Sequence, residues 1–210
     1  MKIEQIRPEE IERRSFEIIT DLLGEQQPPD ETAHIVKRVI HTTADLEYAE
    51  TLYFSENAAQ ILSQALAEGA HIVTDTQMAL SGINKKTLAA FGGQVHCFMA
   101  DEDVARQARE RGVTRACVSM EKAATLSVPL IFAIGNAPTA LLRLDELVRE
   151  GTVRPRLIIG VPVGFVNVVQ SKERIMNAGV PCIVAKGRKG GSNVAAAIVN
   201  AGLYRLTRAE

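Results

Sequence analysis

Residues 130–165 read LIFAIGNAPTALLRLDELVREGTVRPRLIIGVPVGF. The segment opens with five apolar residues in a row, Leu130 to Ile134, and breaks at Gly135-Asn136. Pro138 suits an early helical position, and helical spacing then runs over 139–149. A second apolar run, 157–161, follows and ends in the turn Gly160-Val161-Pro162-Val163-Gly164-Phe165. A strand that is apolar at every position is buried on both faces, and a helix joining two such strands is the unit of a parallel sheet. The same alternation extends outward in both directions. Apolar runs lie at 71–74, 95–99 and 180–185, and helical patterns at 102–111, 167–177 and 193–206. Right-handed crossovers then give an α/β fold: a doubly wound, mainly parallel sheet flanked by helices on both faces.

An N-terminal helical segment precedes this core. Pro8-Glu9-Glu10 opens a helix carrying Ile11, Ser15, Ile18 and Leu22 on one stripe, and Gly24 stops it. A second helix starts at Asp30 and runs to about Thr43, and a third, capped by Ser55 or Asn57, runs to Gly69. With 210 residues and neither repeat nor linker, the chain reads as one domain over 1–210.

Composition removes several function classes. A net charge of −1 supplies no basic field for nucleic acid or membranes, and with 4% aromatics and no Trp there is no base-stacking platform. MKIEQIRPEEIERR lacks a signal-peptide core, and no apolar run is long enough to span a bilayer, so a cytoplasmic location is expected. Cys97, Cys117 and Cys182 have no zinc-like spacing and sit among apolar neighbours, which predicts buried, reduced thiols.

Ligands of open parallel sheets bind beyond the carboxyl ends of the strands. Those ends hold Asp75, Asn136, Gly164 and the loop Gly187-Arg188-Lys189-Gly190-Gly191-Ser192-Asn193. The loop precedes a helix, so its free N–H groups favour a carboxylate or phosphate; the alternative is a flexible turn capped by Ser192 or Asn193. Val163 and Phe165 suggest a wall against a large apolar ligand. His41 lies near a helix C-terminus, which favours imidazolium and suits a proton donor. Asp45 either pairs with it or caps the next turn. Ser15 falls on an apolar stripe and either finds a ligand or bonds back to its own helix. Arg115 is a candidate carboxylate clamp or a surface ion pair. His34, His71 and His96 have no companions in sequence and read as structural.

Several segments then combine into a resemblance: HTTAD at 41–45, TDTQMALSGINK at 74–85, IGNAPTAL at 134–141, GVPVGFVN at 160–167, SKE at 171–173 and GRKGGSNVAAAIVNA at 187–201. In order and almost end to end, they resemble the precorrin-8X methylmutases of cobalamin biosynthesis, with HTTAD and GRKGGSNVAAA most similar to the cobalt-precorrin-8 branch. The resemblance implies an isomerase that moves a methyl group from C-11 to C-12 of a corrin precursor, by an acid-assisted 1,5-sigmatropic shift. His41 matches the family's proton donor. Ser15, Asn84 and Arg115 match substrate contacts, and Gly164, Lys186, Arg188, Gly190, Gly191 and Ser192 fall in the segments expected to meet the acid-fringed macrocycle. A homodimer with sites near its interface is implied. No cofactor and no metal site of the protein's own is expected, since any cobalt arrives inside the substrate. A Rossmann-like nucleotide enzyme is disfavoured because Asp75-Thr76-Gln77, not a GxGxxG, follows the first strand. A tetrapyrrole carrier without catalysis is the remaining alternative.

Overall fold

In a computed structural model, residues 5–207 are described. After a 3-10 turn at Pro8–Glu10 come α1 (Ile11–Leu23), α2 (Asp30–Thr43), α3 (Tyr48–Thr51), β1 (Leu52–Phe54) and α4 (Ala58–Ala67). Next are β2 (His71–Thr74), α5 (Gln77–Gly82), α6 (Lys85–Ala90), β3 (Val95–His96), α7 (Glu102–Arg111) and α8 (Arg115–Ala123). The chain continues through β4 (Leu130–Ile134), α9 (Pro138–Arg149), β5 (Leu157–Gly160), α10 (Val168–Met176), β6 (Cys182–Ala185) and α11 (Ser192–Thr207).

The sheet order is β1-β6-β5-β4-β2-β3. Five strands run parallel, as the apolar runs predict, and β1 adds an antiparallel edge, with Tyr53 opposite Val184. Strand pleating sends alternate side chains to opposite layers. Ile131, Ala133, Ile159 and Ile183 pack beneath α2, α4 and α11, whereas Phe132, Ile134, Ile158 and Val184 pack beneath α8, α9 and α10. The two layers make every central strand position apolar and explain the unbroken runs. α11 is buried from Val194 through Val199, so it is a core helix rather than an amphipathic cover.

Three expectations need correction. On α1 the buried residues are Ile19 and Leu23, while Ile11, Ile18 and Leu22 face outward at 52%, 40% and 63% exposure. The helix has two adjacent apolar stripes, and α2 covers only the one containing Phe16, where Arg38 lies 4.8 Å over the ring. Cys97 and Cys117 are only partly buried; Cys182 alone is fully buried, and all three are free. The third strand stops at His96 rather than at 99. The histidines read as structural do have companions: His71 Nδ1 lies 2.9 Å from His96 Nε2, and His34 lies 3.2 Å from an Arg205 guanidinium nitrogen. These contacts keep them structural. Among the described residues, no helix is long and apolar enough to cross a membrane.

Candidate active site at the carboxyl ends of the strands

β2 connects onward to β3 on one side, while β4 leads to β5 and β6 on the other. The switch point therefore lies between the ends of β2 and β4, where Asp75 emerges. Asp75 is buried and accepts three backbone N–H bonds, from Gly135 at 2.9 Å, Asn136 at 2.8 Å and Ala137 at 2.6 Å. Burial holds its carboxyl above the usual range, and the three donors only partly oppose that shift. A carboxylate from sixty residues upstream thus fixes the turn that leads from β4 into α9.

The other turns lock onto this hub. Thr76 caps α5 by accepting the Ala79 N–H at 3.0 Å, and its hydroxyl lies 2.7 Å from that of Ser192. Gly135 is required, since a Cβ there would sit 2.6 Å from Ser192 Cα. The turn after β5 and the glycine-rich loop after β6 exchange two bonds, Gly191 N–H to the Val161 carbonyl at 2.9 Å and Gly164 N–H to the Arg188 carbonyl at 3.1 Å. A Cβ on Gly190 would lie 2.1 Å from the Val161 carbonyl oxygen. Gly190 therefore permits close packing of loop on turn, beyond any approach to a ligand. From beneath, Lys172 of α10 donates to the carbonyls of Gly187 at 2.9 Å and Lys189 at 2.8 Å.

The loop also reaches the end of α2. Ala44 closes that helix in the left-handed region at φ +54°, and Asp45 then accepts from Lys189 at 2.6 Å. Asp45 therefore pairs with Lys189 rather than with His41, and this bond holds its carboxyl below the usual range. His41 is exposed on the last turn of α2, its ring stacked on Phe16 with centroids 5.5 Å apart. Ser15, next to Phe16, bonds back to the Ile11 carbonyl at 2.8 Å, the local alternative named above.

Arg115 begins α8 and is exposed; Thr114 ties that helix start to Thr139 of α9 through a 2.9 Å hydroxyl bond. Among the described residues Arg115 has no ion-pair partner, so its guanidinium is open to a ligand. The same holds for exposed Arg188, while Lys186 lies with its ammonium 5.3 Å over the Tyr53 ring. Met78, Val163, Phe165 and Val166 are exposed apolar side chains on the turns at the same strand ends, with Phe165 at 85%, and the Gly164–Arg188 bond brings the turn of Val163 and Phe165 onto the loop of Arg188. Asn84 is placed apart from them. It caps α6 by accepting the Thr87 N–H, and its own N–H donates to Asn200, eight residues into α11 from Ser192. At the helical rise, that is about 12 Å from the strand ends.

A cavity of about 550 Å³ lies at the opposite end of the sheet, between the starts of α2 and α4. Its wall carries Glu31 and Glu56 against one arginine, Arg205, a balance that opposes an acid-fringed ligand. The strand-end surface has the reverse character, with unpaired cations beside open apolar groups. It can seat a large, flat, apolar molecule with carboxylates at its edge. Among the described residues, no three His, Cys, Asp or Glu side chains cluster as metal ligands.

Asp75 and Lys172 are the residues whose roles sequence reading missed. Lys172 left a signal: Val168, Ser171, Lys172 and Ile175 stand at the spacing of one helix face, so the lysine falls on the buried side.

A family description for precorrin-8X methylmutase matches residues 10–205. The chain belongs to the precorrin-8X methylmutase family. The cobalt-precorrin-8 methylmutase of Salmonella typhimurium is 47% identical over 209 residues, covering 97% of this chain and 98% of the relative. That of Priestia megaterium is 44% identical, covering 93% and 87%. In three dimensions, the precorrin-8X methylmutase of Thermus thermophilus superposes with a TM-score of 0.84 at 38% identity, covering 94% of this chain and 96% of that one. As a member of the family the protein is an isomerase of cobalamin biosynthesis. The carrier reading is not favoured.

Proposed function

We propose that the strand-end surface binds cobalt-precorrin-8 and that the protein moves its C-11 methyl group to C-12, giving cobyrinate. The observation that carries this site is the bond from Gly164 to Arg188, which joins the turn of exposed Val163, Phe165 and Val166 to the loop of unpaired Arg188, while the Thr114–Thr139 bond sets unpaired Arg115 at the start of α9, at the same end of the fold. Cations meet the acetate and propionate fringe, and the apolar loop lies along the macrocycle. Ser192, Gly190, Gly191 and Gly164 set the floor on which the fringe rests.

His41 donates the proton that assists migration, and Ser15 orients the ring near it. Substrate and product have equal mass, so the macrocycle must return any proton it is lent. One group that both gives and takes is sufficient, and imidazole is suited to that near neutral pH. Positioning and exclusion of water supply the rest of the rate.

The protein acts as a single-domain enzyme in the cytoplasm and as a homodimer. The outward stripe of Ile11, Ile18 and Leu22 on α1 supports pairing, since a helix face of that kind is normally covered. It flanks Ser15, which would bring the interface close to the site.

The test is an anaerobic absorbance time course with cobalt-precorrin-8, in parallel with the cobalt-free substrate, followed by product mass. A cobyrinate spectrum at unchanged mass is expected. A bound but unchanged spectrum with both substrates would remove the catalytic reading.

A further inference from the structure

We propose that Lys172 is a positioning residue for substrate binding: from inside the protein it turns the glycine-rich loop so that the Arg188 and Gly190 amides face outward together and take one substrate carboxylate. This rests on the reading of that loop as the carboxylate-binding element.

Lys172 is 1% exposed. A buried ammonium is expensive and is normally matched by a carboxylate. Among the described residues this one has only carbonyls as partners, those of Gly187 and Lys189. Burial alone lowers its pKa, to about 8, so it remains mostly protonated at neutral pH. An apolar residue of similar size would fill the same space without the desolvation cost. The reason for a lysine therefore lies in what its two bonds impose on the loop.

Among the described residues no peptide bond is cis. In a trans peptide the C=O and the following N–H point in opposite directions. Turning the Gly187 and Lys189 carbonyls inward thus turns the Arg188 and Gly190 N–H groups away from Lys172, to the same side. Between them, the Arg188 carbonyl is held by the Gly164 N–H at 3.1 Å, which fixes the intervening peptide. All three carbonyls are engaged, while the Arg188 and Gly190 N–H groups meet no acceptor among the described residues. Two amides facing one way form a concave donor pair of the kind that binds anions. The unpaired Arg188 guanidinium and the start of α11, two residues beyond Gly190, add charge of the same sign.

The experiment is residue-resolved amide hydrogen exchange with and without cobyrinate, together with steady-state kinetics of Lys172→Met. In the wild-type protein the Gly191 amide is protected throughout, and those of Arg188 and Gly190 become protected together when cobyrinate is added. Lys172→Met loses that protection and shows KM raised about tenfold with kcat nearly unchanged, the size of one charge-assisted contact. If cobyrinate protects no loop amide in the wild type, both the positioning role and the loop as carboxylate site are overturned. If protection appears at both amides but Lys172→Met keeps the wild-type KM, the positioning role alone falls. Should Lys172→Met fail to fold, the wild-type pattern still decides, because protection at only one of the two amides refutes a shared carboxylate.

Discussion

Lys189 crosses from the glycine-rich loop to Asp45, its ammonium nitrogen 2.6 Å from the carboxylate and 2.8 Å from that of Glu47. The pair ties the anion-facing loop to the segment that follows His41. Lys189 is exposed and Asp45 only half-buried, so the tie contributes little to stability. Asp45→Ala is expected to leave the thermal midpoint nearly unchanged and to raise KM in a salt-sensitive way. The lowered carboxyl keeps the tie intact at neutral and mildly acidic pH and releases it only below the usual carboxylate range. A KM insensitive to both Asp45→Ala and salt would remove its role.

His41→Ala should lower kcat by about 10²–10⁴-fold. Because the ring is exposed and stacks on Phe16 alone among the described aromatic rings, stability should change by no more than about 0.5 kcal/mol. Single-turnover absorbance, with binding followed separately, checks this. Normal turnover would exclude His41 as proton donor.

Asp75→Asn preserves shape but replaces an acceptor oxygen by an N–H₂ group facing N–H donors. At least one buried donor is then left unmatched, which costs about 1–3 kcal/mol. Urea unfolding measures the loss. A midpoint equal to wild type would show that the hub is not needed for folding.

Gly190→Ala forces a methyl group onto the Val161 carbonyl and should displace the loop, lowering both stability and substrate affinity. Gly187→Ala meets no atom within 4 Å and suffers only from φ +76°. It should cost about 1–2 kcal/mol, the penalty of a left-handed residue, with a smaller effect on KM. Equal effects from the two variants would mean that packing against Val161 is unimportant.

Lys172 also gives the folded protein a pH signature. Its pKa is about 8 when folded and about 10.5 when unfolded, so between those values the unfolded chain holds the extra proton. Stability from this group therefore rises as pH climbs from about 8 to about 10.5. Urea midpoints at the two ends should differ in wild type and converge in Lys172→Met.

The parallel sheet was legible because Leu130–Ile134 and its neighbours are buried on both faces and carry no polar interruption. β1 was not, because three residues, LYF, give no periodicity and its pairing with β6 spans more than a hundred positions. α8 was hidden by its Cys, Val and Ser content, although Thr114 does cap it. At the site, the four turns were legible as strand ends. What joins them was not: Asp75 to Gly135, Gly190 to Val161 and Lys189 to Asp45 are all long-range contacts. On α1 the stripe was real but its direction was not readable, since two apolar stripes lie side by side and only the neighbouring helix selects one.

The sheet's borders bear on how this chain survives at high concentration. Its core strands are strongly apolar, the type most prone to recruit other chains when left open. Yet one border is β3, only two residues long, and the other is β1, only three. Neither offers a ladder long enough to template a stray strand. Aggregation is therefore a hazard of the incompletely folded chain, while β5 and β6 await their partners. Expression at lower temperature should raise soluble yield more than any change to the finished surface.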